Sequence, residues 1–138
     1  MLSWIIETYP NEDFNSIGMC SATPLWLAAC NRHHEVVEMV LLREGVDRNK
    51  ISLNISKGGG ATPLYIAARN GHVAVVKLLV ASPDVDVNKL KPDNSHWHAY
   101  GETPLITAAR WGYVDVAQVL LASPDVDVNK AGENVVRD

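Results

Sequence analysis

Internal repetition is the feature that most constrains this chain, because a fixed period of a few tens of residues decides the whole architecture. Three segments line up: Thr23-Pro-Leu-Trp-Leu-Ala-Ala29, Thr62-Pro-Leu-Tyr-Ile-Ala-Ala68 and Thr103-Pro-Leu-Ile-Thr-Ala-Ala109, with threonines 39 and 41 residues apart. A second block follows each. Asn70-Gly-His-Val-Ala-Val-Val-Lys-Leu-Leu79 matches Trp111-Gly-Tyr-Val-Asp-Val-Ala-Gln-Val-Leu120, and Asn31-Arg-His-His-Glu-Val-Val-Glu-Met-Val40 is a looser copy. Then Ser82-Pro-Asp-Val-Asp-Val-Asn88 recurs residue for residue as Ser123-Pro-Asp-Val-Asp-Val-Asn129. Three blocks in one order are one unit, repeated.

Each block has a physical task. Thr before Pro predicts a helix start, the hydroxyl capping free N–H groups and Pro fitting the first turn. Leu64, Ala67 and Ala68 make the i, i+3, i+4 stripe of a short helix, and the alanines permit close helix approach. Gly71 and Gly112 fall where the chain reverses, a position favouring left-handed backbone. A second helix follows with Val75, Val76, Leu79 and Val80 on its buried side. Pro83 and Pro124 stop it, and the Asp/Asn-rich stretch beyond is turn chemistry. A helix pair of this size cannot bury its own apolar face, so the units must stack.

The Thr-Pro-Leu-x-x-Ala-Ala block, the Gly-His turn and the Val-Asn loop resemble the ankyrin repeat family over nearly the whole chain. The resemblance implies an all-α fold, a helix–turn–helix repeat stack (an alpha-alpha superhelix) with projecting hairpin-like loops. Three departures stand out. Trp26, Tyr65 and Ile106 replace the family's His, so its Thr–His hydrogen bond is not expected. Arg32 occupies the turn position of Gly71 and Gly112, at a cost of about 1 kcal/mol if the backbone is left-handed there. The loops are also long: Asn to Thr spans 8 residues at Asn15–Thr23, 13 at Asn49–Thr62 and 15 at Asn88–Thr103.

A single repeat domain over 1–138 is expected: a half repeat at 1–15, repeats at 16–53, 54–94 and 95–130, and a tail at 131–138. Leu2 to Asn15 aligns without a gap to Val75 through Asn88, with Leu2, Ile5 and Ile6 as its buried stripe. Neither end carries a plain polar capping repeat, so the chain reads as a piece of a longer array. The competing reading is self-association through uncapped ends, with exposed apolar faces at Leu2, Ile5 and Ile6 and at Val116 and Leu120. A regulatory part of a larger enzyme or signalling protein is the remaining alternative.

Composition narrows the partners. A net charge of −4 and a hydrophobic content of 47% describe a globular chain without the basic footprint that nucleic acid requires. No apolar run approaches the length needed to cross a bilayer, and Met1 to Pro10 lacks the basic leader of a signal peptide. Two cysteines, Cys20 and Cys30, are too few for a disulfide framework. An intracellular protein, cytoplasmic or nuclear, is expected.

Catalytic and metal chemistry are weak readings. Gly58-Gly-Gly60 follows no strand and cannot be read as a phosphate cradle. Asp84, Asp86, Asp125 and Asp127 recur because the loop recurs. His33 and His72 align at the turn as structural residues. His96 and His98 would need Cys20, Asp93 or Glu102 to converge before zinc could bind. No enzyme activity, metal or cofactor is expected.

A partner protein is. The ankyrin resemblance implies that the ends of the first helices line a concave groove, giving one ladder of Cys30, Arg69 and Arg110 and another of Asn31, Asn70 and Trp111. The loop fingers add Met19, Cys20, Ala22, Gly59, Ala61, Tyr100 and Glu102. Trp, Tyr and Arg dominate interface energetics, so Trp111, Arg69, Arg110 and Tyr100 are the expected anchors. Trp111 has a second reading, as cover for the long third loop. Trp97 either projects as a binding tip or folds back as a clamp. The two arginines point to a partner with an acidic segment.

Overall fold

A computed structural model describes residues 22–51, 60–91 and 101–130. Within them the chain forms six helices: α1 (Pro24–Cys30), α2 (His34–Leu41), α3 (Pro63–Arg69), α4 (Val73–Ala81), α5 (Pro104–Trp111) and α6 (Val114–Leu121). Consecutive helices pair as antiparallel hairpins. The first helices stack α1–α3–α5 and the second helices stack α2–α4–α6, which gives two layers of helices around one shared core. No described residue lies in a strand longer than an isolated bridge.

Every first helix begins as the Thr-Pro pair dictates. Thr23, Thr62 and Thr103 are extended, and each hydroxyl accepts the backbone N–H three residues on, at 3.2, 3.1 and 3.1 Å from Trp26, Tyr65 and Ile106. All three threonines are buried, so the bonds satisfy N–H groups that water cannot reach. Each first helix ends in a left-handed residue: Arg32 (φ 65°), Gly71 (φ 74°) and Gly112 (φ 74°). The residue beyond closes the helix, His33 N–H donating to Ala28 C=O at 2.9 Å, His72 to Ala67 at 2.9 Å and Tyr113 to Ala108 at 3.0 Å. This is a Schellman closure, and Arg32 adopts the glycine conformation that its alignment predicts.

The core runs along the hairpins. Leu25, Trp26, Val37 and Val40 belong to the first, Leu64, Val75, Val76 and Leu79 to the second, and Val116 and Leu120 to the third. The alanine pairs 28/29 and 67/68 are buried where neighbouring first helices meet, whereas Ala109 at the last unit is exposed. Val80, expected on the buried side of α4, is only half-buried.

One sequence expectation is overturned here. Val116 and Leu120 are fully buried and cannot form an exposed face for self-association. They are the counterparts of Val75 and Leu79 and face the same interior. Among the described residues, the large apolar side chains left in solvent on the last unit are instead Trp111, Tyr113, Val114, Leu121 and Val128. Leu2, Ile5 and Ile6 lie outside the described residues.

The loops after the second helices carry a second set of ties. Asn49 and Asn88 each receive their own turn through an aspartate two residues back, the N–H donating to Asp47 Oδ1 and Asp86 Oδ1 at 3.0 Å. Their carboxamides then reach the next loop. Asn49 Nδ2 donates to Asp84 C=O at 2.7 Å and Asn49 Oδ1 accepts Asp86 N–H at 2.8 Å. Asn88 repeats this on Asp125 and Asp127, both at 2.8 Å. The recurring Asp-x-Asn is therefore structural.

Candidate functional site

The fourth residue of each Thr-Pro-Leu block sets the site's framework. Trp26 does not bond to Thr23 through its ring; its indole Nε1 donates to Ala61 C=O in the next unit at 2.9 Å. Tyr65 makes the same reach by another chemistry, its hydroxyl donating to Glu102 Oε2 at 2.8 Å. Both side chains are buried, and each pins the entrance of the following first helix. Ile106 carries no polar group to continue the series.

Glu102 is the centre of this arrangement. Its backbone pairs with Lys91 as an antiparallel bridge, Lys91 N–H donating to Glu102 C=O at 2.7 Å and Glu102 N–H to Lys91 C=O at 3.0 Å. That pairing fixes the root of the long third loop. The carboxylate accepts from Tyr65 on one oxygen and forms an ion pair with Arg110 through the other. Lys91 Nζ lies 6.0 Å from the Tyr65 ring centroid. Burial pushes the Tyr65 phenol up to about 12; the Thr107 hydroxyl and Arg69 pull it down, and Glu102 raises it further by its hydrogen bond and its charge.

The ladders at the ends of the first helices are in contact. Asn70 Nδ2 donates to Cys30 C=O at 3.3 Å, and His72 Nε2 lies 2.9 Å from the same oxygen. Asn31 turns back, its amide donating to Leu27 C=O at 2.8 Å. Cys30 is half-buried beneath this junction. The Tyr113 ring stands so close to Gly71 that a Cβ there would lie 2.7 Å from it.

At the third unit the ladder becomes aromatic. Trp111 is 54% exposed, and the Arg69 guanidinium carbon lies 5.5 Å from its ring centroid. Such a pair is a cation–π contact. It holds Arg69 across the junction between the second and third units, with the indole still presented to solvent.

Of the residues singled out from sequence, Cys30, Asn31, Arg69, Asn70, Arg110 and Trp111 lie at the ends of the first helices, where Asn70 contacts Cys30 and Arg69 contacts Trp111 across unit boundaries. Glu102 is also near, but its carboxylate is engaged within the chain. Trp97 and Tyr100 lie outside the described residues, as do Met19, Cys20 and Gly59. The pairing of Tyr65 with Glu102 and of Arg69 with Trp111 was not anticipated. Tyr65 standing 37 residues from Glu102, with Arg110 just beyond, carried no periodic signal of its own.

An open depression of about 570 Å³ lies elsewhere, between the second helices and their loops, lined by Lys77, Val80, Pro83, Val119, Ala122 and Pro124 among others. None of the site residues above borders it. Among the described residues, no helix is long and apolar enough to cross a membrane.

A family model described as ankyrin repeats, in three copies, matches residues 1–91 and again 58–131. A search of curated proteins gave no match.

Proposed function

The chain belongs to the ankyrin repeat family, and we propose that it is a non-enzymatic recognition or scaffold module that seats a partner protein along the first-helix edge and the adjoining loops. Repeats of this family are generally protein–protein interaction modules. The observation that carries the finer reading is Trp111: a large aromatic, 54% exposed, held in place by Arg69 and available for burial by a guest. Buried aromatics and arginines are the side chains whose truncation costs an interface most. An intracellular setting goes with this reading, supported by a cysteine content too low for a disulfide framework.

The test is a pull-down with the wild-type chain, followed by affinity measurement for the recovered partner with Trp111→Ala. Affinity should fall roughly 30-fold or more, equivalent to about 2 kcal/mol, while the melting temperature stays close to wild type. A variant that unfolds, with no separate binding defect, would return Trp111 to a structural role.

A second reading is self-association through the last unit. Val128 is 58% exposed where its counterpart Val87 is 5% exposed, so the outer face of the third hairpin offers apolar surface that stacking covers elsewhere. Light scattering separates the two: a monomer at working concentration favours recognition of another protein.

A further inference from the structure

We infer that the partner's contacting segment is acidic and extended, and that Arg32 and Arg69, not Arg110, receive its carboxylates. This rests on the edge being the recognition surface and adds the chemistry of what it recognises.

Three arginines are exposed at the turn ends of the first helices: Arg32, Arg69 and Arg110. They are not equivalent. Arg110 is already paired with Glu102, whose second oxygen is held by Tyr65. Arg69 stacks on the Trp111 ring and has no carboxylate partner among the described residues. Arg32 makes no hydrogen bond, ion pair or ring contact through its side chain among them, and Glu35 at the start of α2 does not pair with it. Of the three, Arg32 and Arg69 are therefore the ones without a carboxylate partner among the described residues.

Arg32 is also the residue the backbone would least choose. It adopts φ 65° where the two equivalent positions are glycines at φ 74°. A side chain is disfavoured in that region; the turn serves the His33–Ala28 closure, which glycine would serve without the strain, and the arginine side chain adds no contact of its own among the described residues. Strain kept at an exposed charged residue points outward, to a group supplied by something else.

Placement joins the two. Arg32 lies two residues after Cys30, and Arg69 one residue before Asn70; Asn70 and His72 both contact the Cys30 carbonyl. The two arginines thus flank one junction, on adjacent units. Neighbouring helices pack about 10 Å apart, and an extended chain in the polyproline II conformation advances about 3.1 Å per residue with about three residues per turn. Carboxylates three residues apart along such a segment lie on one side at about that spacing, and guanidinium forks bind carboxylates bidentately. The patch is local: the chain as a whole carries −4, and its loops present Asp84, Asp86, Asp125 and Asp127 to solvent. A short acidic segment gains from the pair, whereas a long polyanion meets repulsion on either side.

The probe is a capped peptide of repeated Glu-Gly-Ser, with an isomer of equal composition whose glutamates are contiguous, titrated into the full chain at low salt and followed by amide and side-chain NMR shifts. The spaced peptide should shift Arg32, Arg69 and the Trp111 indole and bind more tightly than its isomer. Arg32→Gly should raise the melting temperature by about 4 °C, since it relieves the left-handed cost, and yet bind the peptide about tenfold more weakly, one charge-assisted contact being lost. Arg110→Ala should keep affinity within about twofold, because its charge is already spent on Glu102. Glu102→Gln, which frees Arg110 and still accepts from Tyr65, should bind more tightly. An Arg32→Gly protein that is more stable and binds as wild type overturns the proposal, as does equal loss in Arg110→Ala. A single-stranded RNA that competes through Arg32 as well as the peptide does would overturn the partner class. Affinity sensitive to Trp111→Ala but not to Arg32→Gly leaves the recognition edge standing and removes only this inference; indifference to Arg32, Arg69 and Trp111 alike removes both.

Discussion

Asn88 grips Asp127 across the boundary between two units: its Oδ1 accepts the Asp127 N–H at 2.8 Å while its Nδ2 donates to the carbonyl of Asp125 at 2.8 Å. One carboxamide thereby satisfies a donor and an acceptor on the same foreign turn. That turn is itself braced from within, Asn129 N–H donating to Asp127 Oδ1 at 3.0 Å.

Asn88→Ala removes both cross-unit bonds. Each is partly exposed, so water replaces some of the loss, and the expected destabilisation is about 1–2 kcal/mol, read as a lower midpoint in urea. Asn88→Asp keeps the acceptor for Asp127 but sets a carboxylate against the Asp125 carbonyl, and should recover little of it. An Asn88→Ala midpoint equal to wild type would show that these loops do not bind the units together.

Trp26→Phe should cost more, about 2–3 kcal/mol. The Ala61 carbonyl loses its indole donor inside a buried site, and a smaller ring leaves space behind. Chemical denaturation measures it. A loss below about 1 kcal/mol would mean that water enters and restores the bond.

Tyr65 predicts an alkaline signature. Its folded pKa is raised to about 12 from 10.0, so the favourable contribution is complete below pH 10 and is lost as pH climbs from 10 through 12. The unfolded chain releases the proton first over that window and is favoured there, by up to about 2–3 kcal/mol at the top. The difference in unfolding free energy between wild type and Tyr65→Phe, followed from pH 9 to 12, isolates this residue from the lysines. A difference that stays flat would place the phenol in a solvated environment.

Gly71 and Gly112 share a left-handed φ of 74° but not their surroundings. Alanine at Gly112 meets open space and should cost about 1 kcal/mol for the backbone alone. Alanine at Gly71 also meets the Tyr113 ring, and displacing it should add about another 1 kcal/mol. Tyr113→Ala in the Gly71→Ala background should return the cost to that of Gly112→Ala. Equal costs for the two single variants would show that the ring moves aside freely.

Much of the fold was legible because each repeated residue type answers a local demand. Thr-Pro starts a helix, glycine turns it, and Asp-x-Asn shapes a loop, so three copies of the pattern read as three copies of the structure. Even the strained Arg32 could be anticipated from its place beside two glycines. Val116 and Leu120 obey the same logic rather than forming an exposed end face: they align with Val75 and Leu79 and are buried as those are. What periodicity could not convey is the chemistry at positions where the copies differ. Trp26, Tyr65 and Ile106 share a register but not a partner, and which atom each reaches depends on side-chain length and on what the next unit offers. Glu102 illustrates the limit. Beside Thr103 it reads as a loop residue open to a guest, yet the phenol from the unit before and the guanidinium from the helix after both claim it.

The Lys91–Glu102 bridge has a wider consequence. It holds Lys91 and Glu102 side by side as one socket, anchored through Glu102 to the buried phenol of Tyr65, so changes of length or wording between those two residues are expected to leave the helices behind it in place. New specificities could be grafted at that socket while the body of the protein goes on folding as before.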